Sequence, residues 1–561
     1  MPQRFKGAGV SPGAGYGPAK RLVRDVPRPD PDARHGGDAA AEAERAAAAM
    51  EETARALGEL GERAGGDAAE VLNAQALMAR DPALAEDVRK RVGEGASAAR
   101  AVSEAMAVYR EMLAGAGEYL AARVADLDDV RDRIVARLMG APMPGVPDSD
   151  VPFVLVAEDL APADTAALDP RRVVAFVTRE GGPTSHTAIL ARSLGLPAVV
   201  ACPGADTVAE GTMLLVDGAT GEVAADPEPG VVETVTAAAQ ARAAAAAGAG
   251  GPGRTADGHE VPLLANIGGP KDLPAALEHG AEGVGLYRTE FLFLDRADAP
   301  GHAEQVAAYR AVLEAFPGGR VVVRTLDAGA DKPLEFLPPG GRDEPNPALG
   351  ERGLRMMRRL PETLDAQLAA LAEAERDTDA HLQVMAPMVT DAADAEWFAA
   401  AAAKAGVQHA GVMIEVPAAA LRARHIAEHV DFFSIGTNDL TQYTCAADRE
   451  TGGLGRFQDP WQPAVLDLVA ASAASAADAG RTCGVCGEAA ADPLLACVLT
   501  GLGVTSLSMG PSALPLVRAA LARAELAQCR AAAEAARAAR GPEEARTAAA
   551  ERLPGLAELG L

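Results

Sequence analysis

Eight short apolar segments in the second half of the chain, separated by alanine-rich helical segments, most constrain its fold. Each of the eight ends in polar residues. They are Val261–Asn266, Gly283–Glu290, Val321–Asp327, Leu382–Met388, Gly411–Pro417, Phe432–Asp439, Thr482–Glu488 and Ser506–Gly510. This alternation predicts a (β/α)8 barrel of the TIM type, whose functional side chains lie at the carboxyl ends of the strands. The same spacing also fits a doubly wound parallel sheet.

The first half of the chain divides into two regions of different composition. Residues 36–140 are rich in Ala, Glu and Arg, and their apolar residues recur at helical spacing, as at Leu84 and Val88. This pattern predicts a helical bundle. Residues 151–228 alternate Val-rich strands with helical segments, and we expect a strand near residue 7 to join the same sheet. The bundle is then an insertion into an α/β domain.

The chain is therefore predicted to be a multidomain α/β protein. We expect an α/β domain over residues 1–30 and 145–228, with an inserted bundle over residues 31–144. A linker follows over residues 229–258, then a barrel over residues 259–540 and a tail over residues 541–561.

Composition excludes several classes of partner. The net charge is −27 and the isoelectric point is near 4.8, which argues against binding to nucleic acid or to an anionic membrane. The N-terminus lacks the apolar segment of a signal peptide, and no run of strongly apolar residues is long enough to cross a membrane. We expect a soluble cytoplasmic protein. Its six scattered cysteines do not form a disulfide framework.

One histidine lies in a sequence context suited to phosphate chemistry. Residues 181–186 read Gly-Gly-Pro-Thr-Ser-His and run directly into an apolar helical segment. A helix N-terminus stabilises an anion, so His186 could accept a phosphoryl group and hold the product in place. The alternative is a histidine that only packs within its loop.

Charged residues follow several of the predicted barrel strands. Arg288, Arg324 and Arg449 present the planar fork that binds phosphate and carboxylate. Glu415 and Asp439 lie at two further strand ends, where apolar neighbours make a carboxylate costly unless it is paired or binds a metal. Hard oxygen ligands beside a phosphate site suit Mg²⁺. Ion pairing among these arginines and carboxylates is the alternative.

Cys483 and Cys486 form a Cys-x-x-Cys pair near the end of the seventh predicted barrel strand. A zinc site would need a second pair of ligands, and no pair is spaced for it. Two interpretations remain. Cys486 is either an ordinary buried cysteine or a thiol that donates a proton at the strand end.

Taken together, these motifs resemble Enzyme I of the bacterial phosphotransferase system, a phosphoenolpyruvate–protein phosphotransferase. The resemblance extends from the Ser-Pro-Gly at residues 11–13 to about residue 540. It includes the histidine loop, Gly-Leu-Tyr-Arg-Thr-Glu-Phe-Leu, Val-Arg-Thr-Leu-Asp, Ile-Gly-Thr-Asn-Asp-Leu-Thr-Gln-Tyr and Cys-Gly-Glu, in the family order.

The resemblance implies a role for each site residue. His186 would accept the phosphoryl group, and Thr165 would hydrogen-bond it. Phosphoenolpyruvate would be held by Arg288, Arg324, Asn438, Asp439 and Arg449. Glu415 and Asp439 would bind Mg²⁺, and Cys486 would donate a proton. The family also implies a homodimer formed by the barrel and a helical insertion that docks the carrier protein HPr.

Two departures concern that docking helix. Asn73 and Gln75 stand where an acidic residue and a histidine are expected, which leaves the affinity for HPr open. The sugars served downstream are equally open.

Two rival functions remain. One is a nucleotide-dependent enzyme of the pyruvate phosphate dikinase or synthase kind, and the other is a sensor that binds phosphoenolpyruvate without turnover. The short bundle without a Gly-rich phosphate loop, and Thr187 where those enzymes more often have alanine, argue against the first. The retained His186 and Cys486 argue against the second.

Overall fold

The chain separates into two compact units, Met1–Ala239 and Gln240–Leu561, called here the N-terminal unit and the barrel unit. The structure is a computed structural model. It describes residues 3–22, 26–64, 66–114, 124–147, 149–160, 164, 168–181, 187–188, 191, 194–294, 296, 298–329, 334, 336, 344, 346–448 and 452–561.

A bundle of helices with a shared apolar core forms one part of the N-terminal unit. Its helices α1 to α5 are Ala39–Ala64, Gly66–Ala79, Pro82–Gly93, Ala98–Ala114 and Val124–Met139. Helix α3 begins where Asp81 accepts hydrogen bonds from two backbone amides and proline occupies its first turn. The predicted helical spacing is confirmed, because Leu84 and Val88 are buried in the bundle core.

The other part of this unit is an eight-stranded sheet. Strands β1 to β8 are Arg4–Lys6, Ala8–Ser11, Ala14–Arg21, Phe153–Ala157, Val173–Thr178, Ala198–Val200, Met213–Asp217 and Glu222–Ala225. Their order is β1-β8-β7-β3-β4-β5-β6-β2, and β3 to β6 run parallel. The N-terminal strands thus pair with strands that follow the bundle, as Ala19 with Val154. The bundle is inserted between β3 and β4.

A closed barrel of eight parallel strands forms the core of the barrel unit. Strands β9 to β16 are Leu263–Ile267, Gly283–Arg288, Arg320–Arg324, His381–Ala386, Ala410–Ile414, Phe432–Ile435, Thr482–Val485 and Ser506–Met509. The predicted (β/α)8 architecture is confirmed and the doubly wound sheet is excluded. Several strands end earlier than predicted. Strand β14 stops at Ile435, so that Asn438 and Asp439 lie in the first turn of a helix.

Helices connect the two units and surround the barrel. Helices α6 to α20 are Pro229–Ala247, Leu273–Glu278, Glu290–Phe293, His302–Glu314, Leu354–Arg359, Pro361–Glu375, Ala392–Ala405, Pro417–Leu421, Ala423–Ile426, Thr437–Cys445, Pro463–Asp478, Pro493–Gly501, Leu514–Leu521, Leu526–Ala538 and Pro542–Ala550. In the predicted tail, α20 and a 3₁₀ turn at Pro554–Leu559 bury Leu553, Leu556 and Leu559 in the barrel core. Among the described residues, no helix is long and apolar enough to span a membrane.

Candidate active site at the barrel mouth

Two of the predicted arginines lie at the carboxyl ends of adjacent strands. Arg288 ends β10, is partly buried, and has no hydrogen bond or ion pair with any described residue. Arg324 ends β11 and is 7% exposed. Its Nη2 donates to Glu290 Oε1 at 2.8 Å and its Nη1 lies 3.2 Å from Asp327 Oδ2. Burial opposes the charge of Arg324, but these two carboxylates raise its pKa.

A third arginine, Arg352, was not predicted from the sequence. It is 1% exposed, and its Nε and Nη2 donate to the two oxygens of Asp327 at 3.0 and 2.8 Å. Its Nη1 donates to Asp439 Oδ1 at 3.1 Å. Arg352 follows Gly-Glu in a loop, well beyond the strand end. A search of strand ends therefore missed it, although an arginine between glycines is a usable signal.

The two predicted metal-binding carboxylates are both buried. Glu415 follows β13, is 1% exposed, and its Oε1 accepts a 2.6 Å hydrogen bond from the Met388 amide. Met388 adopts a left-handed backbone conformation with a φ of 55°, which is a strained geometry found at functional sites. Burial raises the pKa of Glu415 to about 7, and the nearby carboxylates of Asp439 and Asp327 act in the same direction.

Carboxylates are concentrated in this cluster. The described ones are those of Glu290, Asp327, Glu415 and Asp439, and Arg324 and Arg352 pair with three of them. Such a concentration of carboxylates beside arginines that can bind phosphate suits a divalent cation. Described residues form no group of three or more His, Cys, Asp or Glu side chains that could enclose a metal. Two carboxylates fit Mg²⁺ nonetheless, because it retains waters and takes substrate oxygens as further ligands.

Cys486 lies at the same end of the barrel, directly after β15. It is 2% exposed, and its Sγ is 3.6 Å from the Ile435 carbonyl. Burial raises the pKa of its thiol to about 11, so the group carries its proton at neutral pH. Cys483 is also a buried free thiol. The interpretation of Cys486 as a proton donor therefore fits its surroundings.

The loop after Cys486 packs tightly against the N-terminus of α15. A Cβ added to Gly487 would lie 1.9 Å from Thr437 Oγ1. That hydroxyl is buried and has no hydrogen-bond partner among the described residues. Next to it, Asn438 Oδ1 accepts a 3.1 Å hydrogen bond from the Glu488 amide. This contact joins the predicted substrate residue Asn438 to the Cys486 loop.

Three predicted site residues, His186, Thr165 and Arg449, lie outside the described residues. Their roles stay predictions. The structure does describe Thr187, which follows the histidine and is 2% exposed. Its hydroxyl lies 3.3 Å from Asp159 Oδ1 and 3.4 Å from the Leu160 carbonyl. These contacts fix the chain immediately after His186 to the end of β4.

The two departures on α2 have different surroundings. Asn73 is exposed. Gln75 is 2% exposed, and its Nε2 donates to Asp126 Oδ1 at 3.1 Å within the bundle. Only Asn73 of the two is therefore placed on the surface of α2.

Three family models match the chain. They describe the N-terminal domain, the mobile domain and the PEP-binding domain of PEP-utilising enzymes, over residues 6–123, 150–221 and 242–526. Enzymes of this family use a metal cofactor. One similar solved structure is an NMR solution structure of Enzyme I, with 31% sequence identity and a TM-score of 0.35. The match covers 42% of this chain and 98% of the chain in that structure.

Curated relatives match nearly the whole chain. A phosphoenolpyruvate-protein phosphotransferase of Streptomyces coelicolor is 61% identical, over 99% of this chain and 100% of the relative. Proteins of the same name from Haloferax volcanii and Bacillus subtilis are 42% and 37% identical, over 94% and 91% of this chain and 95% and 93% of the relatives. The chain is an enzyme that belongs to the PEP-utilising family, and within it to the phosphoenolpyruvate–protein phosphotransferases.

Proposed function

We propose that this chain transfers the phosphoryl group of phosphoenolpyruvate to its own His186, releases pyruvate, and passes the group to the histidine of HPr. In this proposal it acts in the cytoplasm as the first step of sugar uptake by the phosphotransferase system. The observation that carries the proposal is the barrel mouth, where arginines, buried carboxylates and a protonated thiol converge.

Each described residue has a distinct task in the first transfer. Arg288 and Arg324 offset the negative charge of the bound phosphate and hold it in one orientation. Arg352 keeps Asp327 and Asp439 in place through four charged hydrogen bonds. Asn438 supplies a further polar contact. Arg449 would add a third guanidinium to the phosphate.

Glu415 and Asp439 are the residues that would hold Mg²⁺, which offsets charge on the transferring group. The imidazole of His186 attacks phosphorus through its unprotonated nitrogen, while Thr165 holds the ring. The bond from phosphorus to the enol oxygen breaks, and the leaving group is the enolate of pyruvate. Cys486 then donates its proton to C3 of the enolate, which completes pyruvate.

The second transfer and the assembly rest on the family resemblance and on exposed surface. The helical bundle would dock HPr, and Leu77 on α2 is 69% exposed beside Asn73. The barrel would form the homodimer, and Phe291 and Leu349 of the barrel unit are more than half exposed. Exposed apolar side chains of this size are suited to protein contacts.

The test is incubation with phosphoenolpyruvate labelled in its phosphate, with Mg²⁺ and without ATP. Wild type and a His425→Ala control, at an exposed histidine of the barrel unit, should acquire an acid-labile, base-stable label. His186→Ala should acquire none. Added HPr should then remove the label from the wild type.

Each rival function gives a different result in this assay. A requirement for ATP would support a dikinase or synthase. Binding of phosphoenolpyruvate without any label would support a sensor. Equal labelling of wild type and His186→Ala would contradict the assignment of the histidine.

A further inference from the structure

A polar stripe runs down the inside of the barrel beneath Cys486. Barrels of this type are usually filled by branched apolar side chains, and part of the interior follows that rule with a cluster of Leu286, Val322, Met385, Met413, Phe432 and Cys486 itself. The adjoining part, on strands β9 and β14 to β16, instead carries Asn266, Ser434, Gly484, Ser506 and Ser508. Buried polar groups destabilise a core unless hydrogen bonds or a function compensate them.

The upper end of this stripe contacts Cys486. Ser434, on the neighbouring strand β14, pairs in register with Gly484, two residues before Cys486, and its side chain lies next to the thiol. Asn266 Nδ2 donates to the Cys486 carbonyl at 2.9 Å, and the Ser508 hydroxyl donates to Asn266 Oδ1. The thiol and the backbone of Cys486 are thus both joined to polar side chains inside the barrel.

The lower end of the stripe borders a small cavity. The cavity has a volume of about 20 Å³, and its lining includes Ser434, Ser506, Ser508, Gln383 and Arg320. That volume holds one water molecule, which needs two to four polar partners. Gln383 Oε1 is buried and has no hydrogen-bond partner among the described residues, so it offers an acceptor to such a water.

The cavity also approaches solvent at the amino end of the barrel. Its lining includes Thr482, the first residue of β15, whose side chain is exposed. Arg320 and Gln383 near the start of their strands are only partly buried. A chain of polar groups therefore extends from solvent at the bottom of the barrel to the thiol at its top.

We propose that Ser434 and the water-sized cavity beneath it form a proton path that returns the proton of Cys486 from the amino end of the barrel. This proposal rests on the proposed function, in which the thiol protonates the enolate. In one concerted shift, the resulting thiolate takes the proton of the Ser434 hydroxyl, the serine oxygen takes a proton from the cavity water, and that water takes one from solvent, so that no serine alkoxide is formed. Each step exchanges one O–H or S–H bond for another, and nothing is oxidised.

The position of Cys486 favours entry of the proton from the amino end of the barrel. Cys486 is 2% exposed, and its side toward the mouth is where the enolate must lie to receive the proton. A bound enolate would therefore separate the thiol from solvent at the mouth. Ser434 pairs with Gly484, which precedes Cys486 toward the amino end of the barrel, so a route through Ser434 does not cross the mouth.

The test follows two isotopes in one sample of enzyme, Mg²⁺, phosphoenolpyruvate and pyruvate in deuterium oxide. Carbon label passing from pyruvate to phosphoenolpyruvate measures the reaction itself. Deuterium entering the pyruvate methyl group, corrected for an enzyme-free sample, measures escape of the proton abstracted by Cys486. The ratio of deuteration to label exchange is the readout, because a merely structural defect lowers both rates together.

Ser434→Ala removes the hydroxyl, and Gly484→Ala narrows the cavity by placing a Cβ 2.7 Å from Ser506 Oγ. Both variants should lower the ratio by about tenfold, since the abstracted proton then returns to the same carbon. Ser434→Cys, which restores a proton donor, should recover much of it. Ser472→Ala, which deletes a buried hydroxyl on α16, should keep the wild-type ratio.

The possible outcomes separate the path from the proposed function. A wild-type ratio in both Ser434→Ala and Gly484→Ala would overturn the path. Absence of label exchange in the wild type would overturn the proposed function, and the path with it. A fall in the ratio that Ser472→Ala shares equally would also contradict the path, because that hydroxyl lies outside the barrel interior.

Discussion

Glu415 gives the barrel unit a stability that decreases as pH rises. Its pKa is about 7 in the folded protein, compared with 4.5 ordinarily, so the folded state holds the proton more tightly than the unfolded chain. Ionisation of Glu415 does not affect the free energy of unfolding below about pH 4.5. It lowers that free energy progressively between about pH 4.5 and about pH 7, and the reduction is constant at higher pH. The difference corresponds to a penalty of about 3 kcal/mol above pH 7.

Glu415→Gln removes this penalty, and the chain offers a selective probe of it. Both tryptophans of the protein, Trp397 and Trp461, lie in the barrel unit, so their fluorescence during urea unfolding follows that unit. The free energy of unfolding of the variant, relative to that of the wild type, should increase by about 2 kcal/mol from about pH 5.5 to about pH 8. The exposed Glu428→Gln should show no such pH-dependent gain.

Magnesium provides the second half of this experiment. At about pH 8 the wild type should gain more stability from Mg²⁺ than Glu415→Gln does, because the cation binds the ionised carboxylate of the folded state alone. A stability difference between the two proteins that does not change with pH would refute the reasoning. If, in the absence of Mg²⁺, the wild type became more stable relative to the variant as the pH rises, the result would refute the reasoning more strongly.

Three further substitutions test other parts of the account. Gly487→Ala should abolish phosphorylation by phosphoenolpyruvate, because the added Cβ would lie 1.9 Å from a threonine hydroxyl. The control is Gly510→Ala, whose added Cβ has no atom within 4 Å, and it should leave the rate unchanged. Thr187→Ala should slow labelling of the adjacent histidine, and Thr187→Ser, which keeps the hydroxyl, should retain most of the rate. Arg352→Gln should lower the stability of the barrel unit, measured by tryptophan fluorescence, by about 3–5 kcal/mol, because Asp327 and Asp439 each lose two charged hydrogen bonds from the buried guanidinium.

Repetition in the sequence made the barrel predictable. Each strand-helix unit repeats the same physical requirement, an apolar strand that ends in polar residues at one mouth, so eight weak signals support one another. The pairing of Ala19 with Val154 joins segments separated by the whole bundle. The strand expected near residue 7 was the sequence signal for this pairing.

The parts that sequence reasoning missed depend on tertiary contacts. Arg352 reaches the site from a loop, and its role becomes visible only where it bridges Asp327 and Asp439. Local propensity placed Asp439 in a strand, but the chain turns at Gly436 into α15. Glycine fits there because a Cβ would lie 2.9 Å from Glu415 Oε2. Gln75 turns inward to Asp126, which no local pattern reveals.

The most direct test of the central claim is a single-turnover time course with labelled phosphoenolpyruvate and Mg²⁺ in the absence of ATP. Pyruvate and phosphohistidine are quantified in the same quenched samples, and the labelled peptide is identified. The account predicts that the two products appear together in equal amounts, with the label on His186. Pyruvate formed without phosphohistidine, or label on a residue other than His186, would contradict it.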